Sequence, residues 1–201
     1  MITIAGVYRS GKSYLVNRLL RNKHNGFATG SSVQPVTRGL SLWGRPIPAQ
    51  DEDGNEFVYL AVDSEGVGSC EQEAKYDIKI LMLVFLMSST VIYNSVGAID
   101  EVTLDQLRTV LNLRQALPQA DNHCAKLVWV LRDFALQLVG KNGKEITPND
   151  YLEQCLEEVP TNNFDIRKKN EIRRAIKDTF GKRCCFPLVR PTIREDDLRD
   201  L

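Results

Sequence analysis

The chain has 201 residues, long enough for one domain with a substantial buried core. Its 43% hydrophobic and 26% charged content is that of an ordinary globular protein rather than a disordered or fibrous one. Lysine plus arginine and aspartate plus glutamate both total 26, so the zero formal net charge gives no electrostatic case for a nucleic-acid or anionic-membrane partner.

Taken in chain order, apolar runs alternate with helical periods, which is the α/β pattern. "ITIAGV" (2–7) predicts a buried strand, and "GKSYLVNRLL" starts a helix whose apolar positions recur at helical spacing. Residues 26–38 read as an extended loop. "GLSLWGRPIPAQ" and "EFVYLAVD" flank Asp53-Gly54, a hairpin signal, and the second of these strands ends at Asp63. A helix is predicted over 71–88, a β-branched buried strand over 90–96, and a helix over roughly 101–117. "KLVWVLRD" (126–133) reads as a further central strand, and "LQLVGKNGKEITP" as a second hairpin-like excursion. Helices near 148–158 and 166–179 precede a last strand over 183–189. Together these predict a doubly wound, mostly parallel sheet with helices on both faces, and the G-x-x-x-x-G-K-S stretch after its first strand makes it a P-loop NTPase sheet.

Cysteines fall at 70, 124, 155, 184 and 185, an odd number with no C-x-x-C pair, and His24 and His123 offer no metal-ligand spacing. They read as reduced thiols in a cytoplasmic protein. The longest apolar run, "ILMLVFLM" (80–87), is far short of a bilayer span, and no secretory or prenylation signal appears, so no membrane anchor is expected in this chain. The first strand starts at Met1 and the chain stops soon after Pro191, which leads us to expect a fragment of a longer product.

Chemistry enters with Gly6, Gly11, Lys12 and Ser13, which spell G-x-x-x-x-G-K-S between a predicted strand and a predicted helix. Glycines at those places let consecutive backbone N–H groups turn inward as an anion nest, and the helix adds its positive end. Lys12 would bridge the β- and γ-phosphates, and Ser13 would offer its hydroxyl to Mg²⁺. Tyr8, Arg9, Ser10 and Tyr14 lie within or beside the motif and complete the expected phosphate-binding set. Downstream, "VDSEG" puts Asp63 at a strand end, where its carboxylate can hold Mg²⁺ through water, and Gly66 can give its backbone N–H to the γ-phosphate. Thr37 lies between the two motifs, where GTPases keep a loop threonine whose hydroxyl meets Mg²⁺. Asp133 ends an apolar strand, and one carboxylate can accept both N1–H and N2–H₂ of guanine while rejecting adenine. It equally fits a residue that caps the strand end or pairs with Arg132.

"GVYRSGKSYLVNRLL", "SSVQPVTRGLSLW", "VDSEG", "SSTVIYNSVGAID" and "VWVLRDFALQL" together resemble the large GTPase domain of the guanylate-binding proteins, with the atlastins as cousins in the dynamin-like superfamily. The resemblance runs from about Ile2 to Pro191. It implies a Mg²⁺-dependent GTPase that binds GTP and GDP and forms nucleotide-dependent homodimers. By the same resemblance, Arg132 and Asp133 read guanine in place of N-K-x-D, and Thr37 is the switch-loop threonine. Asp63, Glu65 and Gly66 form the second switch, Glu65 joins Arg9, Lys12 and Thr37 in catalysis, and Arg9 is an arginine finger supplied within the chain. It also implies one GTPase domain over 1–201 that lacks its N-terminal extension, most of its guanine cap and its helical region. At Pro35 the sequence departs from the family's serine, which helps orient the attacking water, so slow hydrolysis is expected. The alternative is a catalytically weak guanine-nucleotide-dependent interaction module.

Overall fold

The computed structural model describes residues 1–21, 26–30, 36–51, 53–67, 74–116, 126–192 and 197. Pro35, His24, His123, Cys70 and Cys124 lie outside the described residues. Among the described residues, six strands form one sheet in the order β2-β5-β1-β6-β7-β8, and two more form a separate ribbon. The chain divides into two compact units, Met1–Asn94 with Thr192–Leu201, and Ser95–Pro191.

In the first unit, β1 (Ile2–Gly6) runs parallel to β5 (Ala61–Ser64) on one side and to β6 (Thr90–Val96) on the other. All four residues of β5 are buried. A strand covered on both faces has no use for alternation, which is why these segments read as continuous apolar runs. Helices α1 (Lys12–Arg21) and α2 (Ala74–Met87) supply Leu15, Val16, Ile80, Leu81, Val84 and Phe85 to the core around Ile4, Val62 and Tyr93. Each fully buried aliphatic or phenyl side chain of this kind is worth about 1.5–3 kcal/mol relative to exposure.

The predicted long hairpin is divided. Its outer part is the ribbon of β3 (Ile47–Gln50) and β4 (Glu56–Tyr59), turning through Asp51–Gly54. Asp51 holds that turn by accepting from the amides of Asp53 and Asn55. The base of the predicted hairpin joins the main sheet instead, as β2 (Leu40–Leu42) pairs antiparallel with β5. Gly44 and Pro46 separate β2 from β3: Pro46 has no N–H to give a ladder, so pairing stops there and resumes beyond it.

In the second unit, β7 (Lys126–Arg132) and β8 (Arg183–Leu188) are parallel in register Leu127↔Arg183 to Arg132↔Leu188. Helices α3 (Glu101–Ala116), α4 (Pro148–Cys155) and α5 (Phe164–Thr179) contribute Leu104, Leu107, Leu152, Ile172 and Ile176 to the core around Trp129, whose indole N–H donates to Ser95. Start signals fix the two later helices. Thr147 and Asp150 form a reciprocal capping box ahead of Pro148, and Asn163 caps α5. The second predicted excursion closes through a single antiparallel bridge, Val139↔Glu145. No helix among the described residues is long and apolar enough to cross a membrane.

Candidate functional site

Parallel β1 delivers the glycine-rich turn at its C-terminal end. Gly6 has φ 140°, and a Cβ there would lie 2.0 Å from the Asn94 carbonyl oxygen on β6, so no other residue fits without moving backbone. The turn is stitched to the segment after β5 by main-chain bonds, Tyr8 N to Val67 O at 2.8 Å and Val67 N to Gly6 O at 3.1 Å. Gly66 sits in that seam, where a Cβ would come within 2.4 Å of the Tyr8 Cα and 2.6 Å of the Lys12 ammonium. These contacts bring Gly6, Tyr8, Lys12 and Gly66 together.

Lys12, only 6% exposed, donates to the Val7 carbonyl at 3.0 Å. Burial pulls its ammonium down to about 8, against the opposing pull of Asp63 and Glu65. A buried cation whose hydrogen bond, among the described residues, is to a carbonyl stands to gain from an incoming anion.

Ser13, Thr37 and Asp63 converge from the start of α1, the loop before β2, and β5. Both hydroxyls donate to one carboxylate oxygen of Asp63, Ser13 at 2.5 Å and Thr37 at 2.9 Å, and they lie 3.3 Å from each other. The other oxygen, Oδ1, is buried without a hydrogen-bond partner. Burial raises the Asp63 carboxyl above its usual range despite the Ser13 and Thr37 bonds and the nearby Lys12 charge. An orphaned buried acceptor costs about 1–3 kcal/mol. Two hydroxyls and a carboxylate with a spare oxygen are hard donors of the kind Mg²⁺ takes alongside phosphate and water, so the residues present fit that ion.

Glu65 is also buried. Its Oε2 accepts from the Gly39 amide at 2.8 Å and from the Tyr76 hydroxyl at 3.0 Å, while Oε1 is buried without a partner. That bond to Glu65 is the main cause that lifts the Tyr76 phenol above its ordinary value.

Arg9 has φ 60°, in the left-handed region. Its side chain is turned toward the loop that follows α1, donating to the Gly30 carbonyl at 3.3 Å, with the guanidinium 5.9 Å from the Tyr8 ring centroid. The neighbouring Ser10 is pinned from below: Asn94 donates to its carbonyl at 2.9 Å and to its hydroxyl at 2.8 Å, and that hydroxyl donates to the Val7 carbonyl at 2.7 Å. Gly11 begins the turn into α1 with φ 74°, and Tyr14 lies under the Arg18 guanidinium at 5.2 Å.

Arg132 and Asp133 belong to the second unit. Asp133 follows the last residue of β7, is exposed, and has φ 55°. The Arg132 carbonyl accepts from the Gly97 amide at 2.7 Å, and the Phe134 amide donates to the Leu188 carbonyl at 3.0 Å, so main-chain bonds on both sides fix the turn that presents Asp133.

Sequence reasoning missed Tyr76, Asn94 and Gly39. A polar residue inside the β-branched run "TVIYNSV" was a signal for Asn94; Tyr76 gave none, because its partner lies on another element.

The whole chain, residues 1–201, matches the guanylate-binding protein N-terminal domain. Guanylate-binding protein 3 of Mus musculus is 36% identical over 96% of this chain and 32% of its own length. Guanylate-binding protein 4 of Homo sapiens is 37% identical over 96% of this chain and 31% of its own length. Among solved structures, a chain from the mammalian SRP receptor aligns at 14% identity and a TM-score of 0.46, covering 99% of this chain and 96% of that one. The chain belongs to the guanylate-binding protein family, through its N-terminal domain. It spans about a third of the length of the relatives it matches.

Proposed function

We propose that this chain binds GTP with Mg²⁺ and hydrolyses it, with residues 1–201 serving as one large-GTPase domain that pairs with a second copy in the triphosphate state. The observation that carries the reading is the convergence of the Ser13 and Thr37 hydroxyls on the buried carboxylate of Asp63, beside the buried Lys12. Ser13 and Thr37 would hold Mg²⁺, with Asp63 behind them through water, and the ion would supply charge neutralisation at the phosphates. The turn from Gly6 to Ser13 cradles phosphate oxygens through its amides, and Lys12 exchanges the Val7 carbonyl for them. The Thr37 and Gly66 backbones position the attacking water and the γ-phosphate, and Glu65 orients that water. Arg9 leaves Gly30 to neutralise the transferring phosphoryl group. Arg132 and Asp133 take the guanine edge.

A second reading, a guanine-nucleotide-dependent interaction module with negligible turnover, is favoured by one observation: Arg9 is turned onto the Gly30 carbonyl. GTP turnover by wild type and Arg9→Ala, with ATP as competitor, separates the readings. The expected outcome is GTP-selective turnover that falls roughly 10³-fold in the variant. An unchanged rate removes the finger assignment, and tight binding without turnover moves the chain to the second reading.

A further inference from the structure

Glu65 is held in an unusual way for a carboxylate with a free oxygen. The Gly39 amide and the Tyr76 hydroxyl both donate to Oε2, at 2.8 and 3.0 Å, and neither reaches Oε1. Oε1 is buried and has no hydrogen-bond partner among the described residues. The terminal torsion of a glutamate is soft and two-fold, so a single donor is satisfied equally well with the two oxygens exchanged. Exchanging the two equivalent oxygens changes nothing, but two donors on one oxygen, one from the loop before β2 and one from α2, fix the plane of the carboxylate and so where its undonated oxygen points.

The two donors are not equivalent. Gly39 is bound to Glu65 twice, because the Glu65 amide also donates to the Gly39 carbonyl at 2.8 Å. The main-chain bond of the two ties the loop carrying Thr37 to the end of β5 whatever the carboxylate does. Tyr76 comes from α2; its hydroxyl donates to the carboxylate and also lies close to the Gly39 backbone. Of the two donors it is the one whose removal leaves the main-chain bond between Gly39 and Glu65 in place.

We infer that Tyr76 is a positioning residue for hydrolysis: with Gly39, its hydroxyl holds Glu65 so that Oε1 is the acceptor presented to the attacking water. The inference rests on the GTPase reading above. Tyr76 touches neither nucleotide nor water itself. It gives Glu65 an orienting neighbour built into α2.

The test uses the full chain as wild type, Tyr76→Phe, Glu65→Gln and the double variant. Steady-state GTP turnover gives kcat and KM, a fluorescent non-hydrolysable GTP analogue gives Kd, and thermal unfolding reports the fold. Phenylalanine keeps the ring, so the melting midpoint should change little. The expected outcome is a fall in kcat of roughly 10- to 100-fold, the scale of a misplaced reacting group, with KM and Kd within twofold. On the Glu65→Gln background the same change should cost nothing further, since the oriented oxygen is already compromised. Two results overturn the inference: an unchanged kcat, or a loss shared by KM, Kd and melting point that is equal on both backgrounds, which marks a mere staple between α2 and β5. If wild type binds the analogue but turns over no GTP, the GTPase reading falls and this inference falls with it. If wild type turns over and Tyr76→Phe equals it, the inference alone falls.

Discussion

Arg9 and Asp133 both hold left-handed backbone, at φ 60° and 55°, but the two positions pay differently for it. Aspartate tolerates that region because its short polar side chain bonds locally, whereas arginine takes a penalty of about 1–2 kcal/mol. The strain at Arg9 is sustained by its neighbours: Asn94 fixes the carbonyl and hydroxyl of Ser10, and Gly6 is wedged against the Asn94 backbone. This separates two properties that a single substitution would merge. Arg9→Ala removes the guanidinium and keeps the strain; Arg9→Gly removes both. The two variants should hydrolyse GTP equally poorly, while the glycine variant unfolds with a free energy higher than the alanine variant by about 0.5–1 kcal/mol, the strain relief less the extra entropy of a glycine. Denaturant titration of the pair checks this, and equal stabilities would mean the strain at this turn is no larger than the entropy cost of a glycine. The motif residues at this scale were legible because their chemistry constrains residue type: only glycine fits at Gly6, and only hydroxyls and carboxylates suit the place of Ser13, Thr37 and Asp63. Tyr76 was illegible, and Asn94 was marked only as a polar residue in an apolar strand, because each acts through a partner brought near by the sheet and helix packing.

At the scale of elements, strands buried on both faces and helices with start signals could be read directly, and the parallel sheet followed from their alternation. The hairpin was read as continuous because the Asp53-Gly54 signal is local, while the choice of β2 to join β5 is decided by pairing between distant segments. Helix α4 ends at Cys155, short of the predicted 158, where Leu156 leaves helical geometry. The packing of α4 on β8 has its own consequence for titration. Burial, then the neighbouring Cys155 and Cys184 thiols, pushes Cys185 up to about 12. Burial, followed by Cys155, pushes Tyr151 up to about 12 as well. Each group is neutral when protonated, and each holds its proton more tightly folded than unfolded. Their contribution to stability is therefore complete below the unfolded values near 9 and 10 and is lost as pH rises toward 12. Denaturation midpoints should fall progressively between about pH 9 and 11, and Cys185→Ala should flatten the first part of that fall. A profile identical in wild type and variant would show that Cys185 ionises as freely folded as unfolded.

For the whole molecule, equal numbers of acidic and basic residues mean that like-charge repulsion does not oppose the approach of a second copy. The Arg9 side chain is held in the single chain by an exposed bond of 3.3 Å to a loop carbonyl, a contact worth little in water. A contact that displaces Arg9 from Gly30 therefore faces a small barrier, and pairing of two GTPase faces is the event proposed to supply it. The consequence is measurable without trapping the pair. Turnover per chain should rise with protein concentration and level off as pairs saturate, since only paired chains have Arg9 on the phosphates. In Arg9→Ala the same titration should be flat and low, because pairing then has no finger to deliver. Mass measurement with GDP and a transition-state mimic should nevertheless show the variant doubling as wild type does. Constant specific activity across a hundredfold concentration range in wild type, beside active GTP turnover, would place the finger on the phosphates without a partner and remove pairing from the mechanism.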